Sequence, residues 1–589
     1  MKKLIFLIFI TINSISYSQN DYLLGESYYR EGEYEKATQI FKKLHSKNSF
    51  NTSYLSRLIS CYQETNQFLK AEKLLKSIIK KNPKQGFLYV YLGYNYDRQQ
   101  LKKLAQDNYN LALKSLNKST YFGGIIGRIF KDYNLLDNAI LAYEKAMSQN
   151  KNVNYSFQIA QIYGEKGDFK KMFEAYINLV DKTETYLSLV KRYTSKYLTD
   201  DAKNEVNILF RKTLLRKSAS NPKDIWNVLL SWLFTQQKDY GKALTQEKAL
   251  YQRNLTDLGA IFSLGKIAFE NKNYSEAKEC FTFINQSTKL SEEKIAANLY
   301  IVKIAIATNS ADAEKLFESL FNEFGKNILT LKLQVAYADF LTFSENKPNE
   351  AKAILENALQ FSQSKFDKAR IKLKLGDILV FTGNYNKALI YFSQIQTQLK
   401  NHELAQQARF KVAQTSYFKG DFTWAKAQLK VLKGSTTQLI ANDALELFLI
   451  ITDNEPVDSI PSGLKQYSKA ALLAFQNKTQ QAIDTLSIIN KDFKGQPIED
   501  EALFKQAKLL IKQNNFEAAI VNLEKVITLN PEGILIDDAY YELAELYKNH
   551  LKNTEKASEY YQKIIFDYSS SIFLVDARKK YRKIRGDKV

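Results

Sequence analysis

The sequence predicts an all-α protein, folded as an α-solenoid in which similar helix hairpins follow one another along the chain. Three observations predict this class. The chain has 589 residues, too many for a single compact core. Glycine and proline, which the many turns of a β-rich protein need, number only 21 and 7. Small and aromatic residues also recur at constant offsets, as repeated helix pairs require.

The first 18 residues predict a secretory signal. Lys2 and Lys3 precede an apolar run over 4–15, and Ser16 and Ser18 place small residues before a cut after position 18. The run is too short to span a membrane, and no cysteine stands at the cut. We therefore expect an exported chain that is neither membrane-spanning nor a lipoprotein.

Small residues recur at a spacing typical of paired helices. Gly25, Gly93 and Gly127 are each followed by alanine twelve positions later and by an aromatic residue sixteen positions later. Glycine lets two helices cross closely, and the alanine and the aromatic residue belong to the second helix. Turn sequences separate the two helices, with glycine to end the first and Asp or Asn to cap the second. The pattern is carried by Ala37 and Phe41, Ala105 and Tyr109, Ala139 and Tyr143, Gly265 with Ala277 and Phe281, and Gly376 with Ala388 and Phe392.

This pattern resembles the tetratricopeptide repeat, whose period is about 34 residues with a closing proline. Asn-Pro pairs at Pro83, Pro222 and Pro531 fit that period. The resemblance covers most of 21–568 and implies a right-handed superhelix of about 12–15 hairpins. Around Tyr560 the repeats are similar to those of bacterial outer-membrane assembly lipoproteins, although Ser569 stands where that family has proline. This similarity implies a periplasmic or outer-membrane-associated location.

Departures from the pattern divide the predicted array into segments. After the signal at 1–18 we expect an N-terminal array over 19–182, an irregular helical segment over 183–222 and a central array over 223–433. Residues 434–463 place loop sequence on both sides of one apolar helix, which predicts a break. A C-terminal array is expected over 464–589.

The sequence offers no motif for catalysis, for a metal or for a cofactor. Cys61 and Cys280 lie many repeats apart, and the three histidines are too scattered for a zinc site. The glycine-rich string over 123–127 lacks the lysine of a phosphate-binding loop, and a Gly-x-Ser-x-Gly nucleophile motif is missing. We therefore expect a non-enzymatic chain without cofactor or metal. An enzyme hidden in the loops of 434–463, which hold carboxylates but no histidine, is the weakest alternative.

The resemblance implies that the first helices of the hairpins line a concave groove. Family members use side chains three positions before the glycine and one and four positions after it. Tyrosine and arginine at such positions predict that an extended peptide or an anionic polymer binds by stacking, hydrogen bonding and charge. The lysine and asparagine of chaperone-binding members are absent from these positions. The selected groove residues are Tyr22, Glu26, Tyr29, Tyr94, Asp97, Arg98, Arg128 and Lys131.

We expect a non-catalytic scaffold or adaptor of the bacterial envelope that binds a protein partner in this groove. The formal net charge of +21 keeps a second function open, the binding of an anionic envelope polymer such as peptidoglycan or polysaccharide. Nucleic acid is not expected as a partner of an exported chain. Added salt separates the two functions, because screening weakens the binding of a polymer that is held by charge alone.

Overall fold

The computed structural model describes residues 21–117, 119–255, 257–434, 438–455 and 462–587. These residues form α-helices, short 3-10 turns and loops, with no β-strand among them. No described helix combines the length and the apolar character that crossing a membrane demands. The predicted signal at 1–18 lies outside the described residues. The contacts divide the chain into an N-terminal unit, up to Gln236, and a C-terminal unit, from Gln237.

The N-terminal unit contains thirteen α-helices among its described residues. They are α1 (21–30), α2 (Tyr34–Lys47), α3 (Thr52–Glu64), α4 (Phe68–Lys81), α5 (Phe87–Asp97), α6 (Lys102–Ser115), α7 (Gly123–Asp132), α8 (Leu136–Gln149), α9 (Ser156–Glu165), α10 (Phe169–Lys182), α11 (Leu187–Thr194), α12 (Glu205–Ser220) and α13 (Asp224–Gln236).

The C-terminal unit contains nineteen α-helices among its described residues. They are α14 (Tyr240–Asn254), α15 (Gly259–Glu270), α16 (Tyr274–Ser287), α17 (Ser291–Ala307), α18 (Ala313–Phe324), α19 (Leu331–Phe343), α20 (Pro348–Phe361), α21 (Lys365–Phe381), α22 (Tyr385–Gln398), α23 (Glu403–Lys419), α24 (Phe422–Leu432), α25 (Gln438–Asp453), α26 (Leu464–Phe475), α27 (Thr479–Asp492), α28 (Ile498–Lys512), α29 (Phe516–Leu529), α30 (Ile536–Asn549), α31 (Thr554–Asp567) and α32 (Leu574–Arg585).

Consecutive helices pair into hairpins within each unit. In the N-terminal unit α5 packs on α6 and α7 packs on α8, and the first helices of these neighbouring hairpins also contact each other. The C-terminal unit repeats the arrangement in α21 with α22 and in α28 with α29. Each hairpin thus buries its apolar face against the next one. The predicted all-α solenoid of helix hairpins is confirmed.

Glycine sits where the two helices of a hairpin cross. A Cβ atom added at Gly93 would lie 2.5 Å from the Tyr109 ring, and one added at Gly25 would lie 2.9 Å from the Phe41 ring. Tyr109 and Phe41 are buried, so neither ring can move aside into solvent. The glycine and the aromatic residue therefore fit each other as one packing unit, as the sequence pattern predicted.

One residue in each hairpin turn has a left-handed backbone conformation. Gly32, Gly167, Gly383 and Gly420 have φ angles between 75° and 82°. At the same place in other hairpins the left-handed residue is mostly asparagine, the side chain that best tolerates this conformation after glycine. The glycine turns were predicted from the sequence, whereas the others had not been recognised. The other residues are Asn66, Gln100, Asn134, Lys238, Lys272, Asn309, Asn346, Asn477, Asn514 and Lys552.

The turn after α26 binds helices that lie far away in the sequence. The Phe475 ring lies 5.4 Å from the Phe343 ring and 5.7 Å from the Phe418 ring. Gln476 Nε2 donates to the Phe381 carbonyl at 2.8 Å, and Asn477 donates to the carbonyl of Phe343. These contacts span 95 and 134 residues of sequence. In a simple repeat array each hairpin meets only its neighbours, so the C-terminal unit departs from that scheme.

The segments where the sequence departs from the repeat pattern have their own local structure. Residues 183–222 hold a 3-10 turn, Glu184–Tyr186, and the helices α11 and α12. Within 434–463 the described part contains α25, which packs on α24 and α23, while α26 packs on α23 as well. Residues 435–437 and 456–461 lie outside the described residues. The predicted domain boundaries at 183, 223, 434 and 464 stay predictions.

Replacing Gly93 with alanine is expected to destabilise the N-terminal unit by about 1–3 kcal/mol, because the new methyl group overlaps the buried Tyr109 ring. The change appears as a lower urea midpoint in circular dichroism. Gly241→Ala is the matched control, since a Cβ added at Gly241 meets no atom within 4 Å. An unchanged midpoint for Gly93→Ala would contradict the close crossing.

Glu501 at the start of α28 is expected to make stability depend on pH. Burial, together with Asp500, raises the pKa of Glu501 to about 8, and its Oε1 accepts only a 3.4 Å hydrogen bond from Asn454 Nδ2. The folded state therefore binds a proton more tightly than the unfolded state, and the free energy of unfolding should fall as pH rises from about 4.5 to about 8. Glu501→Gln should be more stable than the original chain at pH 8, and this gain should shrink towards pH 4.5. A gain that is equal at both pH values would contradict the assignment.

Candidate binding groove

The predicted groove residues lie on the first helices of the N-terminal unit or directly after them. Tyr22, Glu26 and Tyr29 belong to α1, Tyr94 and Asp97 to α5, Arg128 and Lys131 to α7, and Arg98 follows α5. Val90, at the corresponding position of α5, is fully buried. We call this surface the first-helix face. It consists of the eight predicted residues together with Arg57, Tyr91 and Tyr133.

Glu26 and Arg57 form a two-point ion pair between the first two hairpins. Arg57 Nε lies 2.5 Å from Glu26 Oε1, and the second contact, from Nη2 to Oε2, measures 3.0 Å. Glu26 is only 7% exposed, and the Arg57 guanidinium lies 4.8 Å from the centre of the Tyr29 ring. The carboxylate is therefore engaged within the fold, where it fixes the Arg57 guanidinium over the Tyr29 ring.

Similar ion pairs join neighbouring hairpins further along the face. Arg98 donates to Glu64 Oε1 at 2.9 Å, and the two residues lie 34 positions apart. Lys131 pairs with Glu165 at 2.8 Å, again one repeat away. Each pair links the first helices of two successive hairpins, so it fixes their relative position as well as its own side chains. Asp97 pairs locally, at 2.8 Å from Lys102.

Arg128 is the exception among the predicted cations. Its side chain is exposed, and no ion pair to another described residue is present. Tyrosine rings lie on the neighbouring helix and turn. Tyr94 stacks on Tyr133 with ring centres 3.7 Å apart, and Tyr91 meets Tyr133 edge-on at 6.1 Å. The face thus combines one free guanidinium with a fixed group of aromatic rings.

Tyr91 and Tyr133 keep their protons at neutral pH. Burial raises the pKa of Tyr91 to about 12 and holds the pKa of Tyr133 well above its usual value. Neutral phenols donate hydrogen bonds and present uncharged ring faces. The chemistry available here is recognition by stacking, by hydrogen bonding and by the positive charge of Arg128, which has the Asp132 carboxylate near it on α7.

The described residues offer neither a reactive cysteine nor a cluster of side chains that could bind a metal ion. Burial raises the pKa of Cys61 to about 11 and that of Cys280 to about 12, so both sulfurs stay protonated and unreactive at neutral pH. The described residues contain no cluster of three or more His, Cys, Asp or Glu side chains able to hold a metal.

Two residues of the face were missed by the sequence analysis for different reasons. Arg57 belongs to the second hairpin, which has Ile59 at the position that glycine takes in its neighbours, and it lies two positions before Ile59, where none of the groove offsets falls. Tyr133 lies in the turn after α7, outside the helical offsets. The signal for Arg57 was its spacing of 31 residues from Glu26, close to one repeat.

Helix hairpins that are stacked along the chain, closed by a glycine and aromatic pair and linked by ion pairs at repeat spacing, define an α-helical repeat protein. The chain carries tetratricopeptide repeats. The family model described as tetratricopeptide repeat matches residues 19–49, 501–533 and 538–571. Arrays of this type are protein-interaction scaffolds and are generally non-catalytic.

The chain is also similar to a curated protein of Escherichia coli, lipopolysaccharide assembly protein B. Identity is 23% over 137 residues, which is 22% of this chain and 35% of the relative. The same values hold for the protein of that name in two other strains of the species. The chain therefore spans about a third of the length of the curated relatives it matches.

Among solved structures the chain is similar to yeast Tom70, with 14% identity, 74% of this chain and 96% of that chain covered, and a TM-score of 0.31. It is also similar to PilW, described as a widely conserved type IV pilus biogenesis factor. That match has 14% identity, covers 42% of this chain and 98% of the PilW chain, and has a TM-score of 0.27.

Removal of the Arg57 side chain is expected to destabilise the N-terminal unit. Arg57→Ala leaves the Glu26 carboxylate buried without its partner, which should cost about 1–3 kcal/mol of unfolding free energy. Arg128→Ala, the same change at an exposed and unpaired site on the same face, should stay within about 0.5 kcal/mol. Urea unfolding of both variants measures the difference. Equal effects would contradict the distinction between the paired and the free arginine.

Proposed function

We propose that the chain is an exported scaffold of the bacterial envelope that binds an extended segment of a protein partner along the first-helix face. The observation that carries this proposal is the exposed Arg128, which has no ion-pair partner among the described residues, on the same face as the stacked rings of Tyr94 and Tyr133. Rings present flat apolar surface to side chains of a peptide, and the guanidinium reaches a carbonyl or carboxylate of the same segment. The ion pairs between hairpins hold these groups in place, so the side chains lose little conformational entropy when the partner binds.

The charge distribution favours a peptide over an anionic polymer on this face. Arg57, Arg98 and Lys131 are already paired with carboxylates of the chain. A polymer that binds by charge needs several free cations along its length, and it would have to displace these carboxylates. A peptide can use one free cation together with aromatic surface.

The envelope location of the proposal has two supports outside the described helices. The sequence predicts a secretory signal at 1–18. The curated relative in Escherichia coli is named for the assembly of lipopolysaccharide, a component of the envelope. Fractionation of cells should find the chain in the envelope or the periplasm, with its N-terminus at Gln19. A cytoplasmic chain that keeps residues 1–18 would contradict export.

Two substitutions on the first-helix face are expected to weaken partner binding without unfolding the chain. Affinity capture from envelope extracts identifies the partner, and a peptide of its bound segment then allows calorimetric titration. Tyr94→Ala and Arg128→Glu should each weaken binding of that peptide about tenfold or more, since anchors of this kind carry much of the binding energy.

Lys73→Glu is the matched control for charge, because Lys73 is exposed on the second helix α4 and away from this face. It should bind as the original chain does. Binding that Tyr94→Ala and Arg128→Glu leave unchanged would contradict the site. Binding to purified peptidoglycan or polysaccharide that added salt abolishes, with no protein captured, would favour the polymer instead.

A further inference from the structure

A cavity with an apolar floor opens on the first helices of the C-terminal unit. Its volume is 480 Å³, within the range of roughly 300–1,000 Å³ that is usual for sites of small ligands. The helices α15, α17, α19 and α21 supply its walls. The apolar lining includes Phe269, Leu299, Ile306, Leu331, Val335 and Ala336.

The rim of this cavity has an excess of positive charge. Four basic side chains and two carboxylates line it, which leaves a net charge of +2. Both carboxylates are engaged: Asp339 pairs with Lys374, and Asp367 accepts from Arg370 at 2.9 Å. The excess therefore comes from the remaining two lysines, which have no ion-pair partner among the described residues. These are Lys303 on α17 and Lys332 on α19.

The two lysines lie close enough to repel each other. Burial lowers the pKa of Lys303, and the positive charges of Lys332 and Lys266 lower it further, although Asp339 acts in the opposite direction. Two lysines at the rim of an apolar floor, with the charge of Lys266 nearby, favour the binding of a negative group, which would relieve the repulsion between them.

The lining also distinguishes between kinds of anionic ligand. No asparagine or glutamine is among the lining residues. The backbone of an extended peptide would lose its hydrogen bonds to water over this floor and find few replacements, at a cost in free energy. An alkyl chain has no such groups and gains from the same surface.

We propose that this cavity binds a single-chain anionic amphiphile, with its alkyl chain on the apolar floor and its carboxylate or phosphate between Lys303 and Lys332. The proposal is independent of the partner-binding face, because it lies in the C-terminal unit and uses none of the same residues. It gives the chain a second kind of ligand.

Calorimetric titration of the full chain with four probes tests the proposal. Dodecanoate and dodecyl phosphate are the anionic amphiphiles, dodecyltrimethylammonium has the opposite charge, and an acidic peptide of ten residues supplies charge without an alkyl chain. All are used below their critical micelle concentrations. At least one of the two anionic amphiphiles should bind with a saturable 1:1 isotherm, and their comparison assigns the headgroup. Neither control should bind at this site.

Variants then locate the binding. The double variant Lys303→Gln and Lys332→Gln should weaken the anionic probe at least about tenfold, since two charge-assisted hydrogen bonds are lost. Ala336→Phe should block the probe by filling the floor. The matched control, Lys315→Gln with Lys387→Gln, removes two exposed lysines from the second helices α18 and α22 and should bind as the original chain does.

Several results would overturn the proposal. These are no binding of either anionic probe, binding that the lysine double variant leaves unchanged, equal binding of the cationic probe, or binding of the acidic peptide alone. The lysine variant alters only polar side-chain ends at the rim, so it keeps the test decisive if Ala336→Phe fails to fold.

Discussion

The close crossing of the two helices within each hairpin is the constraint on which the rest of the structure depends. Gly93 meets the Tyr109 ring at a distance that leaves no room for a side chain, and Gly25 meets Phe41 in the same way. This contact fixes the angle between first and second helices, and the stacking of hairpins repeats that angle along a unit. First helices are thereby brought side by side, which is the arrangement that allows side chains one repeat apart to meet.

Ion pairs at repeat spacing convert that arrangement into an ordered surface. Arg57 with Glu26 and Arg98 with Glu64 link first helices in the N-terminal unit. The C-terminal unit has pairs of the same kind: Lys374 with Asp339, Lys411 with Asp377 and Lys580 with Glu545. In each of these ion pairs, the cation stabilises the packing of neighbouring hairpins. Arg128 in one unit, and Lys303 with Lys332 in the other, have no ion-pair partner among the residues that the structure describes, so their charges are available to ligands.

The sequence predicted the parts of the fold that local chemistry determines. The glycine and aromatic offsets and the glycine turns follow from contacts within one hairpin, so one repeat contains enough information. The sequence did not predict the turns in which asparagine, lysine or glutamine has the left-handed conformation. Such residues adopt this conformation only where the geometry of the flanking helices requires it.

The repeat pattern of the sequence did not predict contacts between distant repeats. The turn after α26 contacts Phe343 and Phe381, which lie about three to four repeats away in the sequence. A periodic sequence pattern does not predict contacts of this kind. For the candidate groove, the offsets found seven residues of the face, with Arg98 adjacent to one of them, but not which of these residues are paired. Pairing depends on side chains of the neighbouring hairpin, as Arg57 shows by engaging Glu26. The cavity of the C-terminal unit likewise forms from four helices whose residues are far apart in the sequence.

We propose that a protein partner lies along the first helices of the N-terminal unit. Amide hydrogen exchange of the full chain, measured with and without the captured partner, tests it most directly. A partner on this face should slow exchange in α1, α3, α5 and α7, while exchange in α2, α4, α6 and α8 stays unchanged. Slower exchange confined to the second helices, or to the C-terminal unit alone, would contradict it.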